Sequence, residues 1–249
     1  MNSAERIREA VARVVSLRNE AQCCGSLQGA FTAVKSLQSR RFSGTYRDLL
    51  QSPEYGNAAR FFLIELYSEK DYSLRDAQFA KIAGALQRLL PKQVVGTAVA
   101  LAELHVLTEE LDFAMAKAWL SLATGINSDA TSYIKAWHIV GRTSERTQQL
   151  DLVLQIGTEL SRLTRTPGLR MMLRMMRRPA CAGGLTELQS FLESGFDTFS
   201  DIAGEGGSVT DFLTTIRERE TKLMEILFDN STDVGVRTLA AHLSEATPK

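Results

Sequence analysis

Apolar residues recur at helical spacing along almost the whole chain, and that single property excludes most folds. In the first segment Ile7, Val11, Val14 and Val15 line one face, while Arg6, Glu9 and Arg13 lie elsewhere. Leu27, Phe31, Val34 and Leu37 then step by four, three and three. Further helical patterns cover about 57–67, 74–90, 93–123, 130–140, 145–163, 167–177, 185–199, 210–228 and 234–243. A short helical TYRDLL sits among turns marked by Gly44, Pro53 and Gly56. No run alternates apolar and polar residues over strand length, and no Asn-Gly or Asp-Gly hairpin turn occurs. The expectation is an all-α protein, a compact multi-helix array of about nine to eleven helices.

Element boundaries have local causes. Pro91 lacks a backbone donor and should end the helix before it, and Pro167 suits the first turn of the helix after it. Ser73 with Asp76 has the spacing of a capping box, as do Thr45/Asp48 and Ser208/Asp211. Ser190/Glu193 shares that spacing inside an apolar period, so the pattern is only moderately specific. SEKDYS (68–73), GINSD (125–129) and GEGGS (204–208) read as polar turns or loops, too short for domain linkers. Residues 1–249 are expected to form a single helical domain, with a less distinctive N-terminal arm (1–40) and C-terminal tail (230–249).

Charge and cysteine content narrow the function classes. There are 29 basic and 29 acidic side chains, giving zero net charge, which argues against nucleic acid and against whole-chain attraction to an anionic membrane. The N-terminus carries Glu5, Arg6, Arg8 and Glu9 where a secretory signal would be apolar, and no stretch is long and apolar enough to span a bilayer. Cys23, Cys24 and Cys181 form no CxxC and fit a reducing compartment, so a cytoplasmic location is expected.

The search for a metal, cofactor or catalytic constellation is negative. His105, His138 and His242 lie far apart, no Glu-x-x-His pair or HExxH occurs, and the cysteines lack zinc spacing. A histidine such as His105 or His138 can serve as an axial haem ligand, but a lone histidine in an apolar helix is more often a packing residue. GxGxxG, Walker A and GxSxG patterns are absent. No cofactor and no metal are therefore expected.

Three places concentrate unusual chemistry. In the charged corner RFFLIELYSEKDYSLRDAQF, Arg60, Tyr67, Asp71, Arg75 and Asp76 are candidates for a polar site. The ordinary reading is an ion-pair and capping network, with Asp76 capping the helix that starts at Ser73. Arg162–Arg178 carries six arginines and no acid; on one helix Arg170, Arg174, Arg177 and Arg178 share an arc of roughly 100°, flanked by Met171, Met172, Met175 and Met176. Such a face suits a protein partner or, less well supported, peripheral membrane contact, while the ordinary reading pairs its arginines with acids on other helices. Tyr133, Trp137 and His138, with Trp119, suggest an aromatic pocket or a plain core contact. Phe196 and Phe199 read as core anchors.

The segment FFLIELYSEKDYSLRDAQF, with LAELHVLTEELDFAMA and LQSFLESGFDTF, resembles an uncharacterised family of bacterial all-helical cytosolic proteins whose pattern is FFLxxLYxxxDxxxRDxxF. Phe61, Phe62, Leu63, Leu66, Tyr67, Asp71, Arg75, Asp76 and Phe79 occupy the matching positions, and the likeness runs from about Tyr46 to Phe228. It implies a bacterial cytosolic origin and one helical unit, and it contributes no catalytic residue.

These features favour a non-enzymatic interaction or regulatory module that binds a protein partner through Arg170, Arg174, Arg177 and Arg178. The alternative is a small-molecule or cofactor-binding helical protein, possessing or lacking catalysis, with a pocket near Arg60–Asp76 or Trp137/His138.

Overall fold

A computed structural model describes residues 1–67, 70–122, 129–229 and 232–246. Among them every regular element is a helix. In chain order these are α1 (Ser3–Gln22), α2 (Gly25–Thr45), α3 (Arg47–Gln51), α4 (Gly56–Glu65), α5 (Ser73–Leu89), α6 (Lys92–Ser121) and α7 (Asp129–Val140). They continue as α8 (Thr143–Thr164), α9 (Leu169–Met175), α10 (Arg177–Ala182), α11 (Thr186–Gly204), α12 (Val209–Phe228) and α13 (Thr232–Glu245). Parts of the expected SEKDYS and GINSD turns, at 68–69 and 125–128, lie outside the described residues, as do 230–231 and 247–249 of the expected tail.

The arrangement centres on α6, whose 30 residues span about 45 Å. α1, α2, α5, α7 and α8 all pack against it. Its composition explains this: Val95, Val99, Leu104, Leu107, Leu111, Phe113 and Met115 are buried and point in several directions. A helix apolar on most sides is stable only when wrapped. One apolar cluster, around Phe62, Phe199 and Phe212, joins α4, α11 and α12, with the Phe62 and Phe212 rings edge-to-face at 5.4 Å. A second, around Ile134, Trp137, Leu227 and Leu239, joins α7, α12 and α13. No helix among the described residues is long and apolar enough to cross a membrane.

The helical count exceeds nine to eleven chiefly in the arginine-rich region. The expected single helix from Pro167 is two short ones. Gly168 takes φ +80°, so α9 begins only at Leu169, and a turn at Met176 separates it from α10. Pro179 is accommodated in the first turn of α10, where a missing N–H breaks no helical bond. Arg170 and Arg174 therefore belong to α9 and Arg177 and Arg178 to α10, not to one continuous arc.

Cap expectations divide. Ser208 accepts from the Asp211 N–H at 3.2 Å, as its spacing implies. Ser73 caps nothing: Tyr72 precedes α5 without a side-chain cap, and the Asp76 carboxylate turns inward to Arg18 and His105. Thr45 bonds back to the Arg41 carbonyl and Asp48 binds Arg219, so that pair is not a cap either. The full capping box is Asn2 with Glu5 at the start of α1. Val15 is 43% exposed, and Leu17 completes the buried face of α1 in its place.

The tightest backbone approach is between α2 and α13 at Gly44, where a Cβ would overlap the His242 carbonyl. Backbone cannot yield there as a side chain could. Gly44→Ala should therefore cost about 3 kcal/mol in urea unfolding. Gly29→Ala, on the same helix with open space around it, should instead gain up to about 1 kcal/mol from helix propensity. Equal effects at the two positions would mean that the crossing is looser than this geometry.

Candidate functional site

Between α6 and the helices around it lies a cavity of about 230 Å³. That exceeds the ~150 Å³ apolar cavities able to take up benzene and approaches the lower end of ordinary small-molecule sites at ~300 Å³. Most of its wall is apolar. Phe79 and Ile82 come from α5, Leu101 from α6, Leu150, Val153 and Leu160 from α8, and Phe191 and Phe196 from α11. Leu169, Met172 and Leu173 of α9 add to it.

One end is polar, and its charged groups are interior. Asp76 is 3% exposed, Glu109 2%, Asp112 2% and Arg146 5%, and all four line the cavity. Burying a charge without a partner costs several kcal/mol, so each should carry its own compensation. Asp76 and Glu109 do. Arg18 donates to Asp76 at 2.8 Å and to Glu109 at 3.1 Å; Lys35 reaches Glu109 at 2.7 Å; His105 Nε2 lies 2.9 Å from Asp76. Burial pushes both carboxyls up, but His105 and Arg18 around Asp76, and Lys35 and Arg18 around Glu109, outweigh it and hold both below their ordinary values. Nearby, Arg41 pairs with Glu220, which also accepts from Tyr46 Oη at 2.8 Å.

Arg146 is the exception. Its Nη1 lies 3.5 Å from Gln149 Oε1, at the limit of a hydrogen bond, and its guanidinium sits 4.1 Å over the Trp137 ring. Among the described residues its Nε and Nη2 have no hydrogen-bond partner, nor do Trp137 Nε1 and Glu109 Oε2. The acid nearest in charge, Asp112, accepts from Gln38 at 2.9 Å. Burial pushes the Arg146 pKa down and that of Asp112 up. A desolvated cation–π contact of about 2 kcal/mol does not cover the cost of an unpaired buried guanidinium.

The sequence candidates divide around this cavity. Tyr67, Arg75 and Asp76 lie on its wall. Arg75 is held 2.6 Å from Glu65 and stacks on Tyr72 and Phe191, while Tyr67 stacks on Phe42. Asp71 accepts from the Ser73 N–H at 2.9 Å and lines a separate recess of about 200 Å³ with Glu65, Arg75 and Glu187. Arg60 is exposed and bonds to Asn57 and the Leu50 carbonyl. His138 is exposed and off the cavity wall, with Nε2 2.8 Å from the Leu227 carbonyl. In the arginine region, Arg170 pairs with Asp197 and Arg177 with Glu193, while Arg174 and Arg178 are exposed beside Met171 and Met175, which are 68% and 71% exposed. No group of three or more metal-ligating side chains occurs among the described residues.

A family profile matches residues 17–234 and bears the description Domain of unknown function (DUF8198). The chain belongs to that family. No curated protein and no solved structure matches it. The matched region of this DUF8198 chain contains every residue named at the polar end of the cavity.

Arg146, Asp112, Glu109, Gln38 and Arg41 carry no mark of a site in the sequence, since each looks like an ordinary surface residue in its own helix. A signal was present in α6. A helix apolar on most sides has room at the surface for only some of its acids, here Glu103 and Glu110, so others had to be interior and answered by cations elsewhere.

Two outcomes follow. Arg146→Met should raise the melting temperature by roughly 2–8 °C, because it removes a buried guanidinium with two unpartnered nitrogens at similar volume while Asp112 keeps Gln38 and the charge of Lys35; a fall would show the guanidinium to be structurally satisfied. Asp76 and Glu109 titrate lower in the fold than their ordinary 3.8 and 4.5, so their stabilisation is complete above about pH 4.5 and is lost as pH falls through the depressed values. Urea midpoints should hold steady from pH 6 to 5 and drop towards pH 3. Asp76→Asn should start lower and drop less.

Proposed function

We propose that this protein binds a small, largely apolar molecule with one polar end in the cavity beside α6. The observation that carries this reading is the conjunction of a mostly apolar cavity with buried Arg146 and Trp137 nitrogens that have no partner among the described residues. Buried polar groups in a fold are almost all hydrogen-bonded, and the exceptions here, Arg146 Nε and Nη2, Trp137 Nε1 and Glu109 Oε2, all belong to residues of the cavity wall. The candidates Tyr67, Arg75 and Asp76 contribute walls to that site, and no reaction is assigned to it.

The partner-binding reading through Arg170, Arg174, Arg177 and Arg178 ranks second. In its favour are the exposed methionines of α9 and α10. Against it, Arg170 and Arg177 are already engaged by Asp197 and Glu193.

A neutral apolar fluorophore such as Nile red separates the two. Saturable one-to-one uptake by the wild-type chain is expected, and Leu101→Trp, which fills the cavity from α6, should abolish it while the protein stays folded. Absence of saturable uptake, or uptake unchanged by Leu101→Trp, would remove the cavity reading and leave the partner surface.

A further inference from the structure

We propose that the molecule held in the cavity is an apolar monocarboxylic acid, its carboxylate seated side-on on Nε and Nη2 of Arg146 and its body lying along α8. The inference rests on the cavity reading above and names the ligand's chemical class.

Three observations carry it. First, Nε and Nη2 form one edge of the guanidinium, with two parallel N–H bonds, and neither has a partner among the described residues. That edge matches a planar acceptor with two oxygens, the pairing geometry of arginine and carboxylate. Trp137 Nε1, also without a partner there, can only donate, so the unpartnered groups beside Arg146 are donors; the one unpartnered acceptor on the wall, Glu109 Oε2, belongs to a carboxylate already paired with Arg18 and Lys35.

Second, the interior charges favour the smaller of two anions. Arg41 is answered by Glu220, and Arg18 and Lys35 by Asp76 and Glu109. Arg146 and Asp112 balance in number but make no ion pair, since the Asp112 carboxyl accepts from Gln38. A single carboxylate can make the direct pair that the guanidinium lacks. A phosphate monoester would set a second negative charge among Asp112, Glu109 and Glu220, which is repulsive at low dielectric.

Third, α8 itself supplies a track. Leu150, Val153 and Leu160 follow Arg146 by four, seven and fourteen residues, so they share its face, and all four line the cavity. The stripe runs about 21 Å from anchor to far end. A head on Arg146 with an apolar body along that stripe is the occupant which one helix face is built to hold.

The test is titration calorimetry of the full chain with decanoate, decanol, decylamine and decyl phosphate, repeated on Arg146→Lys and Arg146→Met. Decanoate should bind one-to-one, at least about tenfold tighter than the other three. Arg146→Lys keeps the charge but loses the fork, so it should weaken decanoate by about tenfold or more and leave decanol unchanged. Arg146→Met should abolish the preference, and a melting temperature no lower than that of the wild type would show that it folds. Equal affinity for decanol or decyl phosphate, or no effect of Arg146→Lys, would overturn the carboxylate assignment while the cavity reading stands. Uptake of Nile red without any binding of decanoate would mean that the Arg146 edge serves water only, which also overturns it. If neither decanoate nor Nile red binds, both readings fall.

Discussion

Carboxylates on a helix with little solvent face are expensive, and the design of this protein follows from carrying two of them on α6. Glu109 and Asp112 lie three residues apart on its most enclosed stretch, each 2% exposed. Neither can be left alone in a poorly solvated interior, where an isolated ion costs several kcal/mol. The chain's answer is to bring α1 and α2 across that part of α6, so that Arg18, Lys35 and Gln38 arrive from one side. The apolar clusters then close around this polar seam on either flank. What orients the N-terminal helices is therefore charge compensation as much as apolar burial.

The seam is uneven, and the unevenness is informative. Around Glu109 and Asp76 cations and anions meet in direct ion pairs, and burial is overcome. Arg146 and Asp112 make no such pair. A fold that answers most of its interior charges and leaves one guanidinium edge open has given up stability at a single place. That contrast within one cavity separates the two kinds of buried charge better than any single burial value, because both share the same surroundings.

Much of the fold was legible from spacing alone. The periods at Leu27, Phe31, Val34 and Leu37 became a buried face, Phe196 and Phe199 became core, and Pro91 ended α5. Misreadings arose where a local rule met a stronger tertiary partner. Asp76 has the position of a cap residue, yet a half-buried arginine and histidine outbid the backbone amides. Pro167 has the position of a first-turn proline, yet Gly168 in the left-handed region delays the helix. The site itself was half visible: the charged corner contributed Tyr67, Arg75 and Asp76, whereas Arg146 sits in a segment with no anomaly of composition. Its distinctiveness lies in what surrounds it, and that is set by α2, α6 and α7, up to about a hundred residues away in sequence.

The origins of the cavity wall have a consequence for how the protein comes into being. Its polar end draws on Lys35 and Arg41 from α2, Asp112 from α6, Trp137 from α7, Arg146 from α8 and Glu220 from α12. No contiguous fragment holds these groups together. The pocket cannot exist as a local nucleus early in folding; it closes only when strands of chain nearly two hundred residues apart have met, a topology that slows folding through loop-closure entropy. During synthesis the polar end would thus be completed only when α12 brings Glu220 to Arg41, after every residue of the Glu109 and Asp76 network in α1, α2, α5 and α6 had been made. An occupant of the cavity would act as the final element of the tertiary structure, binding across its latest-formed seam.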